Sequence, residues 1–179
     1  LGGFVSGPLT DTLKARLAVR VEHHDDWQRT YTRQNSDGLF VKDLDAPSRT
    51  SGRRRYEVAR LLLNWQPNED TEFELNISGW ENKSDTQAQR FFEIGPQNPS
   101  NVGSVPFWSQ FSSFPAPTNN SRYADWNPDQ DLRRDDRFFQ TTLRGELAIG
   151  DSNHLTSITS YSDLDAARPV DMDGTPLPS

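Results

Sequence analysis

Asp125-Trp126-Asn127-Pro128-Asp129-Gln130-Asp131 sets an oxygen-bearing side chain at every second position, with Asp136 standing twelfth. That spacing resembles a calcium loop, in which alternate carboxylates and amides turn inward on one ion. Asp125, Asn127, Asp129 and Asp131 are therefore a weak calcium set. Gln130 replaces the Gly that the sharp turn needs at the sixth position, and Pro128 stands at the fourth. An Asx-rich turn on a solvated loop accounts for the same residues without an ion.

The other chemistry-bearing groups are binders rather than catalysts. The stretch from Phe91 to Trp126 is rich in aromatic residues and in Pro. A disordered loop has little use for so many rings. They are expected either to pack on themselves as a satellite cluster or to line a ligand mouth. For the mouth, Trp108, Tyr123 and Trp126 are the candidates. His23-His24 lack an acidic or His partner at a ligand spacing, so two exposed imidazoles are expected rather than a metal site. Arg133-Arg134-Asp135-Asp136-Arg137 reads as a charged strand start, with contact to an anionic ligand or lipopolysaccharide as the alternative. No nucleophile elbow, zinc helix or phosphate loop is present, and 26 acidic residues make chance carboxylate pairs unavoidable. No catalytic residue and no cofactor is expected, and the chain does not read as an enzyme.

Composition narrows the class. Apolar residues are 32% of the 179, against about 45–50% on a broader apolar count in globular proteins. Yet there are five Trp and ten Phe. Aliphatic core material is scarce while rings are plentiful. The net charge of -7 leaves no basic excess for phosphates, so nucleic acid is not an expected partner. With no Cys, disulfides, thiolate zinc sites and thiol nucleophiles drop out. No run approaches the ~20 apolar residues of a membrane helix. The chain starts at Leu1 without Met, which reads as a piece of a longer protein.

The elements that would position these groups are strands. From Leu13 to Val21 every odd residue is apolar: Leu13, Ala15, Leu17, Val19 and Val21. The period of two accounts for all five, and a helix for only three of them. Phe73, Leu75 and Ile77 alternate with Glu72, Glu74, Asn76 and Ser78. Phe139, Leu143, Leu147 and Ile149 share one parity against Gln140, Thr142, Arg144 and Glu146. Arg55–Trp65 is less clean because Leu62 breaks its polar side, and a helix is the alternative there. His154–Asp165 alternates weakly.

The connections carry more information than the strands. Short turns are expected near 8–11, 66–70 and 150–153, where Pro, Asn, Asp and Gly cluster. Long polar segments near 25–54, 83–137 and 166–179 separate them. Loops beyond ~12–15 residues are uncommon in compact domains. Here they alternate with short turns, so one end of an antiparallel sheet is trimmed and the other elaborate. Outer-membrane barrels have that form. Strands at ~3.3 Å per residue are long enough to cross an apolar band of ~25 Å at a tilt.

The expected fold is all-β: an antiparallel up-and-down meander of about six strands, counting Gly2–Gly7, within a larger transmembrane β-barrel. Six strands are fewer than the roughly eight that close a bacterial barrel. Leu13, Ala15, Leu17, Val19, Val21, Phe73, Leu75, Ile77, Leu143 and Leu147 are expected to face lipid. Lys14, Arg16, Arg20 and Glu22 are expected to face the lumen. Trp65 and Trp27, both on the apolar parity, are expected in aromatic girdles at the two interfaces. Trp80 falls on the other parity and should face the lumen or mark a bulge.

Three segments resemble a family. "GGFVSGPLTDTLKARLAVRVEHHDDW" (Gly2–Trp27), "RRYEVARLLLNWQPNEDTEFELNISGWEN" (Arg54–Asn82) and "DDRFFQTTLRGELAIGDSNHLTSITSYSDLD" (Asp135–Asp165) are similar, in that order, to early barrel strands of TonB-dependent outer-membrane receptors. Each motif is degenerate, and the combination carries the likeness. The resemblance implies a barrel of about 22 strands filled by a plug. It implies a bacterial outer-membrane location and import of a scarce nutrient driven by the TonB complex. A ferric siderophore is the first expectation, with a glycan or cobalamin behind it. The plug domain, and with it the TonB-contacting segment, has no counterpart in this sequence. The implied partners are the lipid bilayer, the small-molecule nutrient and TonB through that missing plug. The rival readings are a passive porin-type barrel and a secreted soluble all-β glycan-binding module, in which a second sheet would cover the apolar face.

Overall fold

A computed structural model describes residues 1–45, 49–90, 115, 119–172 and 174–176. It is all-β, with no helix among the described residues. The strands are β1 (Gly2–Pro8), β2 (Leu13–His24), β3 (Gln28–Arg29), β4 (Thr32–Gln34), β5 (Phe40–Lys42), β6 (Thr50–Ser51), β7 (Arg54–Asn68), β8 (Thr71–Asn82), β9 (Asp136–Ile149) and β10 (Asn153–Asp165). They fall into two compact units. The first comprises 1–24, 54–84 and 134–167, and the second comprises 25–53, 85–133 and 168–179.

The first unit is one six-stranded sheet in the order β1-β2-β7-β8-β9-β10, every neighbouring pair antiparallel. It is an up-and-down meander, and it is open: β1 and β10 are its edges. Alternating Leu, Val and Ile in β2 and β8 favour the pleated ladder over a helix. The same holds for Arg55–Trp65, which lies inside β7.

Local chemistry closes the hairpins. The Thr10 hydroxyl accepts the Thr12 and Leu13 amides at 3.3 and 3.1 Å, folding the chain between β1 and β2. The β7–β8 turn is tighter than the expected 66–70. β7 runs on to Asn68, and only Glu69-Asp70 form the loop. Asn68 Oδ1 accepts the Asp70 amide there at 3.0 Å. The extra strand length is accommodated by an irregularity. The register slips by one residue between Trp65↔Phe73 and Asn68↔Thr71. Pro67, which has no N–H to give a ladder, sits inside that bulge. Gly150, at φ 64°, turns the chain from β9 into β10.

This sheet has no dry core. Among the described residues every buried apolar side chain (Tyr31, Ala88, Ala124, Trp126 and Leu132) belongs to the second unit. That unit holds two small antiparallel ladders, β3 with β6 and β4 with β5, inside what the sequence reads as a plain loop over 25–54. β2 stops at His24, so Trp27 is no continuation of its apolar stripe. Its indole instead covers Gly52, whose φ of +91° and missing Cβ make the contact possible: a Cβ there would lie 2.5 Å from Nε1.

Candidate functional site

The sheet's register decides which side chains share a face. Leu17 lies opposite Leu61, Leu61 opposite Ile77, and Leu63 opposite Leu75, which lies opposite Leu143. Thr71 pairs with Leu147, and Leu13 with Trp65, which pairs with Phe73. Because facing residues point to the same side, all ten predicted lipid-facing residues fall on one face. Trp65, Phe139 and Ile149 join them. Within this unit nothing covers the face: Leu17 is 44% exposed, Leu143 46% and Trp65 47%. Trp65 and Phe73 stack at its turn end, centroids 5.5 Å apart.

The opposite face carries Lys14, Arg16, Arg20 and Glu22. Glu22 binds Arg20, and Arg54 Nε lies 2.9 Å from its other oxygen. Arg60 Nε donates to Asn76 Oδ1 at 3.1 Å, and Asn64 donates to Glu72. One row interrupts this polarity. Val58, Trp80, Phe138 and Leu164 follow one another directly across β7, β8, β9 and β10. Trp80 stacks on Phe138 at 5.8 Å and meets Tyr56 at 6.0 Å. Trp80 is therefore on the charged face in unbroken register, and the bulge lies elsewhere. Its own parity carried that information, but only the register shows that it has aromatic neighbours.

No protein-family model, no curated protein and no solved structure matches this chain. Geometry and sequence pattern therefore carry the functional argument.

In the second unit the predicted site residues are dispersed. Trp108 lies outside the described residues. Tyr123 is half-buried, its hydroxyl donating to the Leu44 carbonyl at 3.4 Å. Trp126 is 5% exposed and packs with Ala88, Ala124 and Leu132. The Arg49 guanidinium lies 5.0 Å over its ring. In this arrangement Trp126 is a packing residue, with no open ring face to offer a ligand.

The calcium set does not converge. Asp125 Oδ1 accepts the Tyr31 amide at 3.1 Å, and Oδ2 accepts the Thr32 hydroxyl at 2.8 Å. Asn127 Oδ1 accepts the Asp129 amide at 2.9 Å, and Asp131 Oδ1 the Arg133 amide at 3.0 Å. Asp129 is exposed. Asp136 belongs to β9, where it takes Arg134 and the Ala167 amide. Among the described residues no three His or acidic side chains are placed to hold a metal. The spacing that suggests a calcium loop is instead spent on Asx turns and on one buried tie.

That tie is Asp125. It joins its own segment to Tyr31 and Thr32, while the segment after β5 supplies Arg49. Burial pushes the Asp125 carboxyl up to about 6, against the pull of Thr32, the Tyr31 and Thr32 amides, and Arg49. Burial likewise lowers the Arg49 guanidinium, opposed by Asp125, Asp171 and Asp129. The Tyr31 hydroxyl is raised by burial and then by Asp125, with Arg90 opposing. Nothing in the sequence singles out Tyr31 or Arg49, because their partners lie 94 and 77 positions away.

Proposed function

We propose that this chain forms part of the barrel wall of a bacterial outer-membrane TonB-dependent receptor, which imports a scarce nutrient, a ferric siderophore foremost. One observation carries the reading. A six-stranded meander bears one bare apolar face, whose charged pairs such as Glu81 with Arg137 gather at the long-loop end, while its other face is polar and ion-paired; every buried apolar side chain among the described residues lies outside it. A sheet in water normally buries its apolar face against another layer. Lipid covers such a face without one. The alternation of tight hairpins with long connections supports the same reading, since barrels put short turns on one side of the membrane. The open edges β1 and β10 fit a sheet that continues into further strands. The step from barrel to TonB-dependent receptor rests on the resemblance of the three sequence segments.

The test is physiological. The complete reading frame is expected to encode a plug upstream of Leu1. Deleting it from its bacterial host should abolish uptake of radioactive ferric siderophore under iron limitation, and a plasmid copy should restore it. Unimpaired uptake of every siderophore that the host uses would remove the siderophore as cargo, and unimpaired uptake of cobalamin and glycans as well would remove the receptor reading. A plug-free frame whose protein conducts ions passively in planar bilayers would replace it with the porin reading.

A further inference from the structure

The three hairpin turns of the sheet emerge along one edge, as an up-and-down meander requires. Their residues, 9–12, 69–70 and 150–152, include Asp11, Glu69, Asp70 and Asp151 and not one Lys or Arg. All four carboxylates are exposed. Just inside this acidic edge, the apolar face is dented. Leu13, Leu63, Trp65, Phe73, Leu75 and Leu143 line an open hollow of about 430 Å³. The register explains the relief. Phe73 faces Gly145 on β9, where the side chain is missing, and the Phe73 ring leans over the vacancy: a Cβ on Gly145 would lie 3.2 Å from Cε1. Trp65 stands at the turn side of the hollow, stacked on Phe73.

We propose that this hollow seats an acyl chain of a zwitterionic phospholipid bearing a primary ammonium headgroup, phosphatidylethanolamine in chemical class. The proposal rests on the membrane-spanning reading. The charge of the edge selects the headgroup. Anionic lipids are repelled by four carboxylates with no neighbouring cation in the turns. A quaternary ammonium attracts them but has no N–H, whereas a primary ammonium donates up to three hydrogen bonds, which charge assistance strengthens. The Trp65 indole adds an apolar body with one N–H donor at the level of the lipid phosphate and esters. The chain then lies along Leu63, Leu75 and Leu143, toward the middle of the sheet.

Quenching by brominated lipids tests both levels separately. The protein of the complete reading frame is folded into vesicles of phosphatidylcholine that carry equal mole fractions of chain-brominated phosphatidylcholine, phosphatidylethanolamine or phosphatidylglycerol. Trp65 fluorescence is read as the difference between the wild type and Trp65→Phe. The expected order of quenching is ethanolamine over choline over glycerol, with the first step at least about twofold. Asp11→Asn, Glu69→Gln, Asp70→Asn and Asp151→Asn together should equalise ethanolamine and choline. Equal quenching by the two in the wild type overturns the headgroup selection while leaving the membrane reading in place. So does a preference that survives the four substitutions. No quenching by any brominated lipid overturns the membrane reading itself.

Discussion

Trp65 and Phe73 face one another across β7 and β8, their rings 23° from parallel and 5.5 Å apart, one step before the register slips at Pro67. The pair closes the apolar face at its turn end. A double-mutant cycle of Trp65→Ala and Phe73→Ala, read from denaturant unfolding, should give a coupling of about 0.5–1.5 kcal/mol. A coupling near zero would mean that the rings merely share a surface.

The two faces of the sheet should answer differently to charge. Leu17→Lys and Leu143→Arg, on the bare face, should each cost about 2–4 kcal/mol when the protein is unfolded from lipid vesicles. Thr142→Lys, on the opposite, polar face beside Asn76, should stay within about 0.5 kcal/mol. Equally small costs on the two faces would argue that the apolar face meets water rather than lipid.

Asp125 makes the second unit sensitive to pH. Its carboxyl titrates at about 6 in the folded chain and near its ordinary value of 3.8 when unfolded. The folded state thus holds the proton more tightly, so stability falls as pH rises from 3.8 through 6. Amides of 28–32 should exchange more slowly at pH 4 than at pH 7 after correction for intrinsic rates, by up to about 3 kcal/mol of opening free energy. Asp125→Asn should flatten this dependence. A pH response unchanged by that substitution would assign it to other groups.

Gly52 is the backbone counterpart of Trp27. Ala at this position would be held at a positive φ, and its Cβ would enter the indole. Gly52→Ala should loosen the β3–β6 ladder by about 1–3 kcal/mol, seen as faster exchange of the Trp27 amide, which donates to the Ser51 carbonyl at 3.0 Å. An unchanged exchange rate would show that the indole swings away without penalty.

Much of this was legible in the chain because a strand's two faces are written in alternate residues. Leu13 to Val21, Phe73 to Ile77 and Phe139 to Ile149 each declared a strand and an apolar side from local pattern alone, and the Pro, Asn and Gly clusters declared the turns. Residue order also separated tight turns from long connections. Local pattern has no means of saying which strand lies beside which, or what covers a face. Pairing Leu17 with Leu61 and Leu61 with Ile77 is a long-range event, and it alone turned separate stripes into one bare wall. The same holds for Val58, Trp80, Phe138 and Leu164, whose ladder exists only in the register. It holds also for Asp125: its alternate spacing reads as a calcium loop, and the tertiary structure spends the carboxylate on Tyr31 and Thr32 instead. Hydrogen bonds between segments 93 and 94 residues apart depend on how the chain returns, which no window of sequence contains.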